Sequence, residues 1–588
     1  MASWLNSKLA GGISVGRRAL AVSTRGLIMG GVASLAALGF VAAIQWLNDL
    51  FWVSPRSRMM ATDWPWLPLA TIAVLVCGGL IVGLIARYLL PGGQAHGPPE
   101  VIETAQDGSN DVDLRTGAGS ALSALTSLGA GASVGQYGPL VHLGATMGSL
   151  VGRIMPSGQG NAAGLIGIGC GVAAAIATAF SAPIAGVLFA HEVVLRQYSL
   201  RAFAPITVAA TIGFVLASYV FEHEPLFRIP GAPRVEPAEY GAFILIGIGG
   251  AVVATGFMRA ILAADELAER TPIPPVLRPA TAGALLGILA IWIPDILGIG
   301  QQVLRFTIIP EAFGTIELAV LLVAKILATA LCLGFGFVGG VFSPALLIGA
   351  LFGALTGHAA VVLVPGAADS ASVYAICGLA AVTSPVIGGP ITTILIVFEL
   401  TRNYVLTTAV MVSVVFANLV SYRIFGRSMF DEVLRRRGCD LSLGRDELML
   451  SHRSIGPHIS HEYVHVHPGE TIAEARHRIA AADETEGHVI DAEGYYHGTV
   501  TLAGLTRAQD DTAAADDDVM SLARHADAIL DSNANIWSAL AEAEQGTARE
   551  LPVLDEEGRM IGVIERQQLV GVYRRALFGI RREEHAAP

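Results

Sequence analysis

Long apolar runs without a single charged residue recur through the first 430 residues of this chain. A helix needs about 20 apolar residues to cross the hydrocarbon core of a bilayer, and every run is long enough to do so. The longest runs predict two helices each. The runs cover residues 27–48, 64–86, 116–152, 154–191, 202–221, 240–258, 326–368, 370–398 and 405–422. We therefore expect residues 1–430 to form an all-α, polytopic domain in the lipid bilayer.

The composition agrees with this assignment and excludes a soluble enzyme. Of the 588 residues, 53% are hydrophobic and only 15% are charged, which is far more apolar than a soluble globular domain. The net charge of −12 arises mostly after position 430, so the chain offers no basic surface for nucleic acid. The five cysteines have no paired spacing, and we expect neither a disulfide framework nor a metal site.

Basic residues flank the apolar region at both ends. Because lysine and arginine near membrane segments favour the cytoplasmic side, both termini are predicted to be cytoplasmic. The expected location is the plasma (inner) membrane, with multiple passes. The flanking residues are Arg17, Arg18 and Arg25 before the first run and Arg423, Arg427, Arg435, Arg436 and Arg437 after the last.

Glycine and proline interrupt the apolar runs at two comparable places, residues 128–139 and 334–344. Interrupted backbone at membrane depth is tolerated only where protein or a watery cavity satisfies its peptide groups, so the breaks indicate a pathway. They fall in two halves of similar pattern, about 24–221 and 240–425. This arrangement predicts an internal repeat with its site at the repeat interface.

The residues after about 450 contain a second, shorter repeat. Equivalent positions of its two copies are Ile472 and Ile536, Asp491 and Asp555, Gly494 and Gly558, and Gly498 and Gly562. Each copy predicts a strand, a helix, a strand, an Asp-x-Glu-Gly turn, a strand and a helix. We predict a linker at 431–450 and two α/β modules, 451–510 and 519–588, joined by the stretch from Asp510 to Asp518.

Each break in the apolar runs leads into a helix with proline in its first turn. One such start is Gly138-Pro139, and the other is Val341-Phe342 before Pro344. Unpaired N–H groups at a helix N-terminus attract an anion, and glycine lets the backbone approach it. One helix end contributes only about 0.3 to 2 kcal/mol, so several must converge. Either break alone is more often a kink, but two in matching halves favour a site.

These segments resemble the signature motifs of the CLC family of chloride channels and proton-coupled chloride antiporters. Gly135-Gln-Tyr-Gly-Pro139 resembles its GREGP motif, and Gly340-Val-Phe-Ser-Pro344 resembles its GxFxP motif. His96-Gly-Pro-Pro-Glu100 falls where the family has GSGIP followed by Glu, Phe398-Glu-Leu-Thr-Arg-Asn-Tyr404 is similar to its late-helix signature, and the tail resembles its paired CBS modules. The resemblance implies a homodimer with one pathway in each inverted-repeat subunit, chloride as the bound substrate, and neither enzymatic activity nor a cofactor.

The resemblance also implies which positions face the anion: His96, Gly97, Gln136, Tyr137, Gly138, Val341, Phe342 and Phe430. Several of them depart from the family pattern. Tyr137 replaces the gating glutamate, and Gln136 replaces the arginine before it. Val193 stands where antiporters have a second, proton-passing glutamate. His96 and Phe430 replace the serine and the tyrosine whose hydroxyls bind the central ion.

These departures predict a mechanism. Proton-coupled exchange requires a group that alternately holds a proton and competes with the anion. A tyrosine with an ordinary pKa near 10 stays protonated at neutral pH, and valine holds no proton. The hypothesis is passive, proton-uncoupled transport of chloride or a similar monovalent anion. Two alternatives stay open: an antiporter whose relay has moved, for example to His96 or His142, and a transport-dead sensor in which Tyr137 plugs the pathway.

Polar residues beside the motifs have several roles open to them. His96 either caps a helix start or, when protonated, adds positive charge beside the anion and raises flux at acid pH. His142 is expected to pack between helices. Lys325 is expected to extend to the membrane interface, and Glu192 to bond to backbone or a neighbouring helix in a structural role.

The tail lacks residues that nucleotide-binding CBS pairs use. The resemblance implies a Ser or Thr and then an Asp after the last strand of each module. Here Gly504 and Gln568 replace the acid that holds ribose, and Glu565 replaces the second hydroxyl. Nucleotide binding is therefore doubtful, and we expect the pair to stabilise a dimer or to couple to gating.

Overall fold

The computed structural model describes residues 2–61, 64–107, 112–155, 162–198, 200–221, 235–309, 312–363, 371–441, 447, 450–451, 453–509, 517–546 and 548–585. The chain divides into two compact units between Asp440 and Leu441. The helix Met429–Arg436 belongs to the first unit, although most of it falls in the sequence-predicted linker. Residues 442–446 and 448–449 of that linker, and 510–516 of the predicted connection between the modules, lie outside the described residues.

The first unit is built from helices, which confirms the predicted all-α membrane fold. Its helices are α1 (Ala2–Leu50), α2 (Pro55–Met60), α3 (Leu67–Leu89), α4 (Pro98–Asp107), α5 (Leu114–Gly129), α6 (Tyr137–Ile154), α7 (Ala162–Phe180), α8 (Pro183–Phe189), α9 (Leu200–Val215), α10 (Tyr240–Arg270), α11 (Arg278–Leu289), α12 (Gln301–Thr307), α13 (Thr315–Gly334), α14 (Phe342–Leu363), α15 (Ala371–Ile387), α16 (Pro390–Thr401), α17 (Tyr404–Ile424) and α18 (Met429–Arg436). Single π-helical segments, Ala190–Leu195 and Leu216–Val220, extend α8 and α9.

Many of these helices are apolar enough to lie in a lipid bilayer. In the described part of the chain, 7 helices are long and apolar enough to cross a membrane. Five shorter apolar helices accompany them, at Gly164–Phe180, Pro183–Leu195, Pro275–Leu289, Ser372–Ile387 and Pro390–Thr401. Helices that stop short of a full span leave their termini inside the protein, where ion sites are built in membrane transport proteins. The protein is a multi-pass membrane protein.

The longest charge-free runs contain two helices each, as predicted. The run 116–152 holds most of α5 and α6, 154–191 holds α7 and α8, and 326–368 holds the end of α13 and all of α14. The run 370–398 also holds two helices, which the sequence analysis did not predict. Gly388 separates them with a φ of 71°, a value that favours glycine, and Pro390 begins α16.

The second half of the first unit repeats the helix order of the first half. A short α12 precedes α13, α14 and α15, as a short α4 precedes α5, α6 and α7. In both halves the helix that follows the Gly-Pro break packs along the next one, α6 on α7 and α14 on α15. The predicted internal repeat with broken helices is therefore confirmed.

Two glutamates join the halves in a reciprocal way. Glu192, which follows α8, accepts hydrogen bonds from the N–H groups of Ile391 and Thr392 in the first turn of α16, at 2.9 and 2.7 Å. Glu399 of α16 accepts hydrogen bonds from two N–H groups in the first turn of α8, at 3.0 and 2.7 Å. Each carboxylate satisfies backbone donors at the positive end of the other helix. The predicted structural role of Glu192 is confirmed.

The second unit contains two α/β modules of the same design, which confirms the predicted repeat. The first has β1 (His465–Val466), a helix at Ile472–Ala481, β2 (Glu486–Ile490), β3 (Tyr496–Thr501) and a helix at Leu502–Gln509; the second has β4 (Leu530–Asp531), a helix at Ile536–Gln545, β5 (Glu550–Leu554), β6 (Met560–Glu565) and a helix at Arg566–His585. In each module the first strand pairs in parallel with the second, which pairs antiparallel with the third.

The same four-residue motif, Asp-x-Glu-Gly, forms the hairpin turn of each module. The carboxylate of Asp491 accepts hydrogen bonds from the N–H groups of Glu493 and Tyr495, at 3.1 and 2.8 Å. Asp555 makes the equivalent pair of bonds in the second module, at 3.1 and 2.7 Å. The glycine of each turn, Gly494 in the first module, takes a positive φ that other residues rarely adopt.

A buried polar chain connects the two modules. Nε2 of His488 in β2 lies 3.2 Å from a carboxylate oxygen of Glu550 in β5, and its Nδ1 lies 2.9 Å from the hydroxyl oxygen of Thr499. The His488 side chain is fully buried, so this contact is shielded from water. Removing one partner of such a pair leaves the other without its hydrogen bond.

We expect Glu550→Ala to destabilise the second unit by about 1 to 3 kcal/mol, because the buried Nε2 of His488 loses its hydrogen-bond partner. Hydrogen exchange of the β2 and β5 amides in the full-length protein measures the change. The matched control is Glu556→Ala, an exposed glutamate in the turn after β5. Equal exchange rates in the two variants would contradict the prediction.

Candidate functional site

The two Gly-Pro breaks meet face to face. The N–H of Gly135 donates to the carbonyl oxygen of Gly340 at 2.8 Å, and the N–H of Gly340 donates back to Gly135 at 2.7 Å. A Cβ on Gly340 would lie 2.7 Å from the backbone nitrogen of Gly138, so the two chains touch where only glycine fits. The predicted site residues before α6 and α14 are therefore brought together.

The segment before α4 joins this meeting point. A Cβ on Gly138 would lie 3.5 Å from Cδ of Pro98, which begins α4. The N–H of His96 donates to the hydroxyl oxygen of Ser120 at 2.9 Å, and that of Gly97 donates to a carboxylate oxygen of Glu100 at 2.6 Å. The backbone donors of His96 and Gly97 are thus used within the protein.

Tyr137 lies in a cluster of aromatic rings. Its ring stacks on Phe180 with 4.1 Å between the centroids, and it meets Phe342 edge to face at 5.3 Å. Phe180 and Phe189 pack on Phe342 at 5.3 and 6.4 Å. Only 2% of Tyr137 is exposed, so its ring fills space between the first residues of α6 and α14. The sequence analysis missed both Phe180 and Phe189, because apolar residues in apolar helices carry no local signal that marks a contact with Phe342.

Val341 and Phe342 are buried at the start of α14, beside a hydroxyl that bonds across the interface of the halves. The N–H of Gln136 donates to the hydroxyl oxygen of Ser343 at 3.3 Å. The hydroxyl group of Ser343 and the ring of Phe342 together hold the first turn of α14 against the first turn of α6. The structure places the predicted positions Gln136, Tyr137 and Phe342 in one continuous packing unit.

Gln136 also lines a polar cavity of about 730 Å³. The cavity extends from Gln136 to the segments before α2 and α12, and it combines guanidinium groups, carboxylates and side-chain amides. Its polar lining residues are Gln45, Asn48, Asp49, Ser54, Arg56, Arg58, Gln136, Asp295, Gln301, Gln302 and Arg305. The cavity is much larger than one small anion, so it is an open polar space next to Gln136 rather than a tight binding site.

Lys325 on α13 is fully buried and reaches the wall of this cavity. Its Nζ donates to the carbonyl oxygens of Ile296 and Gly298, at 3.0 and 2.9 Å. The prediction that Lys325 extends to the membrane interface is wrong. The broken backbone before α12 supplies the two acceptors, and these replace the water that a snorkelling lysine would seek.

Val193 is buried in the π-helical segment after α8. A Cβ added to Gly389 would lie 2.9 Å from Cγ2 of Val193. Val193 therefore packs against the break between α15 and α16. An aliphatic side chain in this contact offers no atom that binds or releases a proton. The neighbouring Glu192 is engaged with the first turn of α16, as described above.

Phe430 is buried in α18, which packs on α4 and α15. Ser428 begins this helix with a capping box: its hydroxyl accepts from the N–H of Asp431 at 3.3 Å, and the Asp431 carboxylate accepts from the Ser428 N–H. Arg437, at the end of α18, forms an ion pair with Glu100 of α4. Phe430 therefore lies on a helix that the ion pair between Arg437 and Glu100 links to the first turn of α4.

His142, one turn into α6, meets the loop before α4. Its ring packs edge to face against that of His96, with 5.9 Å between the centroids. His142 is buried, with 2% of its surface exposed, which agrees with the prediction that it packs between helices. This contact brings the loop before α4 against α6.

The residues that replace nucleotide ligands lie on the second unit. The N–H of Gly504 donates to the Thr501 hydroxyl oxygen at 3.2 Å, and Glu565 lies 3.5 Å from Arg549. Among the residues that the structure describes, no group of three or more His, Cys, Asp or Glu side chains is placed to hold a metal ion.

Comparisons with known proteins identify the architecture. A family model described as voltage gated chloride channel matches residues 78–422. A putative chloride channel protein ClcB-like from Ralstonia nicotianae is 30% identical over 422 residues, covering 70% of this chain and 97% of that protein. An H(+)/Cl(-) exchange transporter ClcA from Vibrio campbellii is 27% identical over 424 residues, covering 70% of this chain and 88% of that protein.

A solved structure extends the likeness to nearly the whole chain. The crystal structure of a eukaryotic CLC transporter is 20% identical, has a TM-score of 0.61, and covers 93% of this chain and 98% of its own. At that identity the likeness shows the fold. With the family model matched over more than half of the residues and the break segments meeting as the motifs predict, the chain belongs to the voltage-gated chloride channel (CLC) family.

Proposed function

We propose that the protein transports chloride or a similar monovalent anion passively across the membrane, without coupling to protons. The anion is bound where the starts of α4, α6 and α14 converge. Helix N-termini and their N–H groups stabilise a negative ion there without a fixed cation. In this reading the protein is a transporter rather than an enzyme, and it needs no cofactor.

The observation that carries the proposal is the aromatic ring of Tyr137 at the gating position. It packs on Phe180 and Phe342, where a proton-coupled mechanism requires an exchangeable proton. An ordinary phenol loses its proton only near pH 10. Buried Val193 holds no proton either. Both positions that carry protons in antiporters of the family are thus occupied by side chains that do not titrate at neutral pH.

A proton-coupled antiporter is the main rival, because the relatives include both a putative chloride channel and H(+)/Cl(-) exchange transporters. The experiment is chloride flux from proteoliposomes with simultaneous recording of external pH. We expect chloride efflux without proton movement against a proton gradient. Proton uptake in a fixed ratio to chloride would contradict the proposal and favour a relay at other residues, such as His96 or His142.

The same assay has a matched control within the chain. Tyr137→Glu introduces a carboxylate at the gating position, while Val193 remains unchanged. We expect this variant to show pH-dependent chloride flux, still without stoichiometric proton transport, because the second proton-passing position stays aliphatic. Comparing Tyr137→Glu with the wild type shows whether a carboxylate at the gating position makes chloride flux depend on pH without coupling that flux to proton transport.

A second candidate function is a sensor without transport. The close packing of Tyr137 against Phe180 favours it, because the ring then closes the pathway. In that case the protein signals through its second unit, and wild-type vesicles show no chloride efflux at all.

The proposed assembly is a homodimer with a separate pathway in each subunit. We place it in the plasma (inner) membrane with both termini in the cytoplasm, as the basic flanking residues predict. The second unit, whose modules resemble a CBS pair, stabilises the dimer or couples to gating, without bound nucleotide. Crosslinking in native membranes at increasing dilution tests the dimer, and a species that stays monomeric would contradict it.

A further inference from the structure

The polar cavity next to Gln136 is lined by more positive than negative side chains. Among the described residues that line it, the cationic ones are Arg56, Arg58 and Arg305, and the acidic ones are Asp49 and Asp295. Side-chain amides add N–H donors without adding negative charge, and they belong to Gln45, Asn48, Gln301 and Gln302. A space lined in this way favours a small anion over a small cation.

The two carboxylates of the lining interact with other groups. Asp295 interacts electrostatically with Glu317, which does not line the cavity, and with Arg58, which does. A carboxylate oxygen of Asp49 accepts a hydrogen bond from the hydroxyl group of Ser54 at 2.6 Å. Within the described lining, Arg58 and Asp295 therefore offset each other, and the remaining charges are those of Arg56, Arg305 and Asp49.

Arg305, in α12, also acts on the gating position. Its guanidinium group interacts electrostatically with the hydroxyl group of Tyr137. Gln136, directly before Tyr137, lines the same cavity as Arg305. The resemblance to the GREGP motif puts an arginine at position 136, where this chain has an uncharged amide. The guanidinium group that the motif lacks is therefore present in the same cavity, on a helix from the other half of the membrane unit.

Hydrogen bonds fix the start of the helix that carries Arg305. The backbone before α12 is broken at Gly298 and Gly300, which both have positive φ values. Nζ of Lys325 donates to the carbonyl oxygen of Gly298 at 2.9 Å, and the N–H of Gly298 donates to the carbonyl oxygen of Gly131 at 2.8 Å. Gly131 belongs to the break that precedes Tyr137. The position of α12 is therefore set relative to that break.

We propose that Arg305 supplies the positive charge that Gln136 lacks, and that the cavity holds small monovalent anions loosely before they reach Tyr137. The proposal rests on the proposed anion transport and adds a second region that attracts the anion. In a space of about 730 Å³ the ions stay hydrated, so the arginine raises their local concentration rather than binding one ion tightly. Salt screens such an interaction, so its effect is largest at low ionic strength.

The first test measures the electrostatic potential of the cavity through the reactivity of a thiol. Gln302→Cys introduces the thiol at an exposed lining residue one helical turn before Arg305, in full-length protein that also carries Cys77→Ser. The other four cysteines are buried. Anionic sulfonatoethyl and cationic trimethylammonioethyl methanethiosulfonate are compared in detergent. We expect Arg305→Gln to lower the ratio of anionic to cationic rates about fivefold at about 10 mM salt, and less than about twofold at about 1 M.

Two variants control this measurement. Arg305→Lys keeps the charge and is expected to keep the rate ratio. Arg87→Gln removes an exposed arginine from the last turn of α3, outside the cavity lining, and is expected to leave the ratio unchanged. An identical ratio with and without Arg305→Gln would overturn the inference, as would an equal fall of the ratio in Arg87→Gln.

The second test measures chloride flux in proteoliposomes at low ionic strength. We expect Arg305→Gln to reduce the flux about threefold, and the double variant Gln136→Arg/Arg305→Gln to restore it to within about twofold of the wild type, because a guanidinium group returns to the same cavity. A flux that stays low in the double variant would overturn the role of charge. A wild type that carries no chloride contradicts the proposed function, whereas the rate ratio still decides whether the cavity attracts anions.

Discussion

Replacing Tyr137 with alanine is expected to increase chloride flux about tenfold or more. The wild-type ring is 2% exposed and stacks on Phe180 at 4.1 Å, so it occupies the space between the starts of α6 and α14. Truncation to a methyl group leaves a gap there, because packed surroundings relax only partially. Chloride efflux from proteoliposomes, normalised to the amount of reconstituted protein, measures the increase.

The matched control is Tyr137→Phe, which keeps the ring and removes only the hydroxyl. We expect its flux to stay within about twofold of the wild type, since the stacking on Phe180 is preserved. Flux that is the same in the alanine variant and the wild type would show that the ring does not limit permeation. A silent wild type with a conducting alanine variant would instead support the transport-dead sensor.

Replacing Gly340 with alanine is expected to abolish folded, active protein. The new Cβ would lie 2.7 Å from the backbone nitrogen of Gly138, closer than real Cβ contacts permit, and backbone has no alternative rotamer. The reciprocal hydrogen bonds between Gly135 and Gly340 break if the segments separate. We expect a loss of about 3 kcal/mol or more in stability, measured as thermal unfolding in detergent.

A glycine elsewhere in the membrane unit provides the control. Gly256 lies in α10, and nothing lies within 4 Å of the Cβ that it would gain. Gly256→Ala is expected to be neutral or to stabilise the helix by up to about 1 kcal/mol. Equal stability of the two variants would mean that the two breaks are not in the contact described here.

Much of the membrane fold follows from local pattern. Charge-free runs predict helices because a bilayer leaves no other way to satisfy the backbone. The breaks at 128–139 and 334–344 predict where helices start, and the structure brings Gly138 and Gly340 together. The turns at Asp491 and Asp555 were equally predictable, because their hydrogen bonds are local.

The contacts between distant segments did not follow from pattern. Phe180 and Phe189 are apolar residues in apolar helices, and nothing in their neighbourhood distinguishes a ring that packs on Phe342 from one that faces lipid. The buried position of Lys325 depends on carbonyl groups of a distant break. The approach of His142 to His96 likewise depends on how α6 packs beside the loop before α4.

The reciprocal bonds of Glu192 and Glu399 have a consequence for biosynthesis. The first half leaves the ribosome with the N–H groups of Ile184 and Ala185 lacking the acceptor that Glu399 later provides. Likewise, the carboxylate of Glu192 lacks its hydrogen-bond donors until the first turn of α16 has been synthesised. An unsatisfied donor inside a membrane is costly, so neither half reaches its final state alone. The ends of α8 and α16 are therefore complete only after translation has passed Glu399, so the first half reaches its final packing only once most of the second half has been made.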